Sequence, residues 1–537
     1  MDTKEQSFIK GAAILAATSI FVKIIGAVYK IPLYNILGDA GKGAFQVTYS
    51  VYTLILNIST AGVPVALSRM VASAAVTGKQ SLVKRYFNVA MPAFILIGLA
   101  AMLLMFFYAG QLAGAMNNSL AAPGIQVLAP AVFFVCIISV YRGYAQGFEN
   151  MIPTAASQAL EVVCKAAFGI AITLFLSHRG HSVATVSAGG IGGVTIGLGV
   201  CIPLLAYYKR KIDRRIVISG DAAGLPGRMR VFGQLLKVSV PITIGASFMS
   251  IIDVVNNSVV LGRLQNALGL SEFDASAQFG IHAEGLTLYN LPSALIVPVA
   301  VSLVPAIAAA LAKGRGSDAR SIMQSSVKLV NVFAMPACAG LMVLATPIMT
   351  ALFEDSRQVA ATILIFFGAA AFFVCLQLVT TAILQANGNE RLPLLSIPVG
   401  GAVKIALGYI LVGNPGFGII GSPIGSLACF IVICALNIVF IKMKVKERPK
   451  FGRVFVKPLL CTAVMSAVAY FVYELLYRLG AGSIGTGRMA IAAFLSVAII
   501  VSVAAYVALI VLTRTITMDD MLHVPKGEKL AKILRIR

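Results

Sequence analysis

Apolar runs of about twenty residues recur fourteen times along this chain, separated by charged or Gly/Pro-marked breaks, and each is long enough to cross a bilayer as a helix. They lie near 8–33, 44–68, 86–109, 124–148, 152–176, 184–208, 235–260, 279–311, 328–351, 359–384, 393–412, 417–441, 455–477 and 488–513. The expected fold is therefore an all-α polytopic membrane protein of about 14 transmembrane helices. A composition of 59% hydrophobic and 12% charged residues leaves no room for a soluble domain. The first run holds three lysines (Lys10, Lys23 and Lys30) and is followed by many equally long spans, so it reads as a membrane helix rather than a cleaved leader. The 279–311 run is too long for one straight crossing, and Pro292, Pro298 and Pro305 predict a kink or tilt.

The chain also repeats itself. V-K-R-Y-F-N-V-A-M-P from Val83 to Pro92 returns as V-K-L-V-N-V-F-A-M-P from Val327 to Pro336, and P-V-A-L-S from Pro64 returns as P-V-A-V-S from Pro298. Gln146, Pro153 and Lys165 are answered by Gln385, Pro393 and Lys404, at spacings close to 239. Six spans separate the copies, so both halves enter the membrane in the same direction and a pseudo-twofold axis lies along its normal. The expected organisation is an N-terminal lobe at 1–208 (spans 1–6), a linker at 209–234, a C-terminal lobe at 235–443 (spans 7–12), two extra helices within 444–513 and a basic tail at 514–537.

A net charge of +23 raises the question of nucleic acid, but the cations are sorted by side. Of 43 Lys and Arg, with those near span ends counted on the side they border, thirty-two fall on the side of the N-terminus, six on the other and five (Lys23, Lys30, Lys165, Lys237 and Lys404) within spans. By the positive-inside rule both termini are cytoplasmic. The basic runs Lys209 to Arg215, Lys442 to Arg448 and the tail from Lys526 to Arg537 are then placed to meet anionic lipid headgroups. No aromatic residues interleave them, which argues against a nucleic-acid partner.

The eight cysteines all fall inside apolar spans without a CxxC pair, and the four histidines form no HExxH cluster, so neither disulfides nor a metal site is expected. Gly38 to Gly43 only superficially resembles a phosphate-binding loop, so no ATPase is expected.

Charged groups within a bilayer cost about 2.5–3.5 kcal/mol each on insertion scales, and each needs a reason to be there. Lys23 and Lys30 are seven residues apart, on one face of the first span. Gln46, Ser50, Thr53, Asn57, Thr60 and Pro64 form a stripe along the second. Ser239, Thr243, Ser247, Ser250, Asp253 and Asn257 do the same along the seventh. Two matching stripes favour a shared aqueous cavity over interhelical hydrogen bonding, with Asp253 balancing Lys23 or Lys30 across it. Glu161 and Lys165, one turn apart, are spaced to neutralise each other, whereas Lys404 faces Gly400 at the equivalent place and is the more conspicuous cation. Arg142 and Gln146 close the fourth span and are candidates for gating. Glu284 is a candidate for binding a coupling cation or proton.

Three stretches, G-A-V-Y-K-I-P-L-Y (Gly26 to Tyr34), F-Q-V-T-Y-S-V-Y-T-L-I-L-N-I-S-T-A-G-V-P-V-A-L-S-R (Phe45 to Arg69) and R-G-Y-A-Q-G-F-E-N-M-I-P-T-A-A-S-Q (Arg142 to Gln158), resemble the polysaccharide-export branch of the multidrug/oligosaccharidyl-lipid/polysaccharide (MOP) flippase superfamily. The nearest groups are those of stage V sporulation protein B and the MurJ-type lipid II flippases of Gram-positive bacteria. The resemblance implies two lobes that alternate between inward- and outward-open states and move a polyprenyl-pyrophosphate-linked saccharide, lipid II foremost, to the outer leaflet of the bacterial cytoplasmic membrane. It implies a headgroup site at Lys23 and Lys30 and a groove for the lipid tail in the last two helices. It further implies a non-enzymatic protein without a cofactor, driven by Na+, H+ or the membrane potential, monomeric and associated with cell-wall synthesis proteins. Lysines stand where Gram-negative relatives carry arginines, and Ile31 stands where a carboxylate is expected, so recognition here rests on point charges rather than a bidentate clamp. Multidrug efflux of the MATE kind is the alternative, with acidic cavity residues such as Asp253 and Glu284; export of a teichoic-acid, capsule or spore-cortex unit is another.

Overall fold

In the computed structural model, residues 3–60, 62–77, 79–214, 225–353, 357–449, 451–480, 485 and 487–515 are described, and within them the chain is helical with no strand. Among these described residues, eighteen helices follow one another: α1 Thr3–Val28, α2 Lys30–Thr60, α3 Gly62–Val76, α4 Gln80–Phe107, α5 Ala109–Ala115, α6 Ala122–Gly147, α7 Ile152–His178, α8 Val183–Asp213, α9 Arg228–Asn266, α10 Glu272–Tyr289, α11 Leu291–Ala312, α12 Gly316–Val343, α13 Ala345–Phe353, α14 Gln358–Ala386, α15 Pro393–Val412, α16 Gly421–Lys444, α17 Phe451–Gly480 and α18 Arg488–Leu512. Single 3-10 turns lie at Ser119–Ala121 and Gly418–Ile420.

Among the described residues, thirteen stretches are long and apolar enough to cross a membrane, and the first, Ala17–Val76, is 60 residues long. It takes in the first two expected spans. What divides it is Gly38, at φ 64 and ψ 169, a conformation that costs a residue with a Cβ dearly. On an uninterrupted helix the 16 residues from Lys30 to Gln46 would span about 24 Å. Their side chains instead hydrogen bond at 3.4 Å, so the chain doubles back at Gly38. The long 279–311 run is likewise broken: α10 ends at Tyr289, Asn290 makes the turn, and Pro292 stands in the first turn of α11, where its missing N–H costs nothing.

The chain forms two compact units, Met1–Ala283 and Glu284–Arg537. In the first, α3, α4 and α6 enclose Val63, Leu67, Val71, Phe87, Phe94 and Tyr144, and α7 packs on α8 through facing glycines, Gly169 and Gly193, where small residues let the backbones meet. In the second, α11, α12, α14 and α16 enclose Ile307, Met323, Val330, Val379 and Ile383, while α17 and α18 pack on each other and α17 on α12. Tyr506 of α18 donates to the Val332 carbonyl at 2.8 Å, and Asn331 to the Val454 carbonyl at 3.1 Å. The part of the expected linker at 215–224 and the tail from 516 onward lie outside the described residues.

Candidate functional site

A cluster of cations and tyrosines within the first unit is built from the doubled-back α2, the end of α1 and the middle of α7. Residues 45, 49 and 52 recur at helical spacing, which puts Phe45, Tyr49 and Tyr52 on one face of α2. Phe45 and Tyr49 stack with ring centroids 5.8 Å apart, Tyr49 and Tyr52 tilt together at 5.5 Å, and Tyr34 meets Phe45 edge-on at 5.9 Å. Two ammonium groups approach this face. Lys30 Nζ lies 4.5 Å from the Tyr49 centroid and donates to Gln46 Oε1 at 3.4 Å; Tyr34 donates to the same oxygen at 3.2 Å. Lys165 Nζ lies 5.2 Å from the Tyr49 centroid and 5.0 Å from that of Tyr29, and donates to the Tyr49 hydroxyl at 3.3 Å.

Both distances being measured to the same ring, the two nitrogens are within about 10 Å of each other. At that separation or less, two ammonium charges repel by at least about 1.7 kcal/mol at an effective dielectric of about 20. Cation–π contacts of about 0.5–2 kcal/mol each offset this. Among the described residues neither Lys30 nor Lys165 has a carboxylate within 4 Å. The cluster therefore brings two ammonium groups together with no carboxylate in contact with either among the described residues.

The expected Glu161–Lys165 pair does not form. Glu161 Oε2 is instead 3.1 Å from Arg142 Nη2, and its Oε1 accepts from Tyr52 at 3.3 Å. Arg142, buried at the end of α6, also donates from Nε to Ser157 Oγ at 2.9 Å. A guanidinium reaching across from the next helix offers a charged, geometrically directed bond, whereas a lysine on the same helix offers only a flexible contact between neighbouring turns. Gln146 donates to Thr154 Oγ1 at 3.2 Å, tying the end of α6 to the start of α7.

The two polar stripes meet each other directly over part of their length. Asn57 donates to Ser250 Oγ at 2.6 Å, Thr243 to the Ile58 carbonyl at 3.4 Å, and Gly62 rests against the Ser239 carbonyl. At these positions they act as a helix seam rather than as the walls of a cavity. Ser50 and Thr53 bond back to the Val47 and Tyr49 carbonyls of their own helix, at 2.7 and 2.9 Å. Asn257 is buried on α9 and Asp253 half-buried; the partners of Lys30 are Gln46 and aromatic rings, so the balance of Asp253 against Lys30 is not the arrangement found. Lys23 is exposed on α1, whereas Lys404 is buried on α15 and Glu284 fully buried on α10. Thr60 lies outside the residues whose side chains are described.

Tyr29, Tyr34, Tyr49 and Tyr52 were not singled out from the sequence, although the 45/49/52 spacing was there to be read. At a spacing of 239, Arg142, Ser157, Glu161 and Lys165 correspond to Thr381, Ser396, Gly400 and Lys404. The second copy thus keeps the serine and the lysine and replaces the ion pair by uncharged residues. There Ser396 donates to Asn437 Oδ1 at 2.8 Å, and Asn437 Nδ2 donates to Thr380 and Thr381 at 3.2 and 3.1 Å.

Residues 8–311 match the family described as polysaccharide biosynthesis protein. Among curated relatives, all from Bacillus subtilis (strain 168), the chain is 27% identical over 531 residues to the uncharacterized membrane protein YabM, covering 98% of this chain and 97% of that one. It is 24% identical over 537 residues to stage V sporulation protein B (97% and 98% covered) and 23% identical over 422 residues to the lipid II flippase MurJ (75% and 77%). Among solved structures, lipid II flippase MurJ in an inward closed conformation superposes with a TM-score of 0.67 at 15% identity, covering 93% of this chain and 98% of that one. An inward-facing multidrug resistance MATE transporter of the MOP superfamily gives 0.63 at 17% identity, covering 80% and 99%. The architecture is accordingly the all-α transporter fold that these two share.

Proposed function

This chain belongs to the polysaccharide biosynthesis protein family, and from that premise we propose that it is a flippase for a polyprenyl-pyrophosphate-linked saccharide, with lipid II as the leading substrate. The observation that carries the reading is the pair of ammonium groups on Tyr49, with no carboxylate within 4 Å of either among the described residues. A pyrophosphate cannot cross about 30 Å of hydrocarbon unaided. Two point charges held by aromatic rings replace part of its hydration, while the polyprenyl tail stays in lipid. A cationic drug, the cargo of the MATE reading, would meet repulsion from these two ammonium groups.

We place the protein in a bacterial cytoplasmic membrane with both termini cytoplasmic, its basic segments against anionic lipid. The step runs outward by alternating access, drawing on the membrane potential or on H+ or Na+, with buried Glu284 as the candidate coupling group. Relatives named as flippases agree with a transport role rather than an enzymatic one. The test is reconstitution in vesicles with labelled lipid II and, separately, a labelled teichoic-acid precursor, reading the fraction that becomes accessible in the opposite leaflet under each gradient. Accelerated exchange of lipid II that is lost in Lys30→Gln supports the proposal. Exchange at the protein-free rate for every lipid-linked saccharide, with export of cationic dyes instead, rejects it.

A further inference from the structure

Glu161 stands one turn before Lys165 on α7, in the order in which a glutamate and a lysine pair best along a helix, yet its carboxylate is turned to Arg142 and Tyr52. Resting on the anion-binding reading above, we infer that Arg142 is a positioning residue of this cluster: it holds the Glu161 carboxylate off Lys165 and so keeps that ammonium available to the substrate. Ser157 fixes the guanidinium through Nε, leaving Nη2 for the carboxylate, and Tyr52 takes the second carboxylate oxygen. Both oxygens of Glu161 are thereby engaged by groups other than Lys165.

The internal repeat supplies a control. Where the second copy has Gly400 in place of the glutamate, it has Thr381 in place of the arginine, and it keeps Lys404 and Ser396. An arginine whose purpose were only to end a helix would have no reason to vanish together with the glutamate. An arginine whose purpose is to restrain that glutamate would.

Four variants of the full chain in lipid nanodiscs test this, with undecaprenyl pyrophosphate as the probe and its affinity as the readout. Arg142→Gln frees Glu161 to pair with Lys165, and the affinity is expected to fall about tenfold, as removal of one hydrogen bond to a charged group does. Adding Glu161→Gln removes the competing carboxylate, so the double variant is expected to bind within about threefold of the wild type. Arg142→Lys retains the charge and most of the affinity. A double variant as weak as Arg142→Gln, with thermal unfolding unchanged between the two, overturns the role of Arg142, since a purely structural arginine is not rescued by removing its partner. If Lys165→Gln binds the probe as tightly as the wild type, the pocket assignment itself fails, and the two failures are told apart by that variant.

Discussion

The Lys165 ammonium donates to the Tyr49 hydroxyl across 3.3 Å, joining α7 to α2 through a ring that also faces Lys30. One phenol therefore serves two cations in different ways, as an acceptor for the first and as a π face for both. Tyr49→Phe removes only the acceptor of a bond from a charged donor, at about 1.5–3 kcal/mol. Tyr49→Leu also removes two cation–π contacts of about 0.5–2 kcal/mol each. Thermal unfolding in detergent should rank wild type above Tyr49→Phe and Tyr49→Phe above Tyr49→Leu; equal midpoints for the two variants would show that the ring face contributes nothing.

Lys23 and Lys30 look equivalent by spacing, but only Lys30 reaches the tyrosine cluster, while Lys23 is exposed. Lys30→Gln is expected to slow lipid translocation at least about tenfold, because the substrate's phosphate then meets an uncharged amide in place of an ammonium. Lys23→Gln is expected to have a smaller effect. Indistinguishable rates for the two variants in the vesicle assay would contradict this ordering.

Gly43 of α2 rests against the Ser276 carbonyl of α10, and Gly280 of α10 against the Asp39 carbonyl, so that a Cβ at either would fall well inside van der Waals contact with backbone. Nearby, Asn118 donates to Ser276 Oγ at 3.0 Å and Ser276 to the Ala40 carbonyl at 2.9 Å. Gly43→Ala or Gly280→Ala must push α10 off α2, at a cost of about 1–3 kcal/mol. A cysteine introduced at Ser276, which is fully buried, should then react with a polar maleimide faster in the glycine variants than in the parent. Unchanged labelling would mean that the helices yield elsewhere.

Asn57 and Ser250 make the shortest link between the two polar stripes, at 2.6 Å. Interhelical hydrogen bonds in membranes average about 0.6 kcal/mol and reach about 1.7. A double-mutant cycle with Asn57→Ala and Ser250→Ala is expected to give a coupling energy in that range by thermal or denaturant unfolding; a coupling of zero would place the two side chains apart in the working protein.

Helix number was legible in the sequence because lipid imposes one length and one hydrogen-bonding solution on every crossing. The break at Pro292 was legible for the same kind of reason, a missing N–H. The partners of charged residues were not. Spacing along one helix assigned Glu161 to Lys165, but the competing guanidinium arrives from α6, and no periodicity within α7 reports what a neighbouring helix presents. The stripes on α2 and α9 are faces of hydroxyls and amides, and such a face is equally suited to water and to another such face. The break between the first two spans was legible in the charged, glycine-rich residues 38–43, but which of them turns the chain was not; it is Gly38, and its fold-back delivers Lys30 to Gln46.

Thr381 and Gly400 stand where the first copy has Arg142 and Glu161, while Lys404 matches Lys165. The two copies therefore differ in electrostatics at matching positions: the first carries a lysine beside an ion pair, the second a lysine beside hydroxyl and amide groups. A repeat in sequence is thus not a repeat in charge, and an anion would meet unlike surroundings at Lys165 and at Lys404.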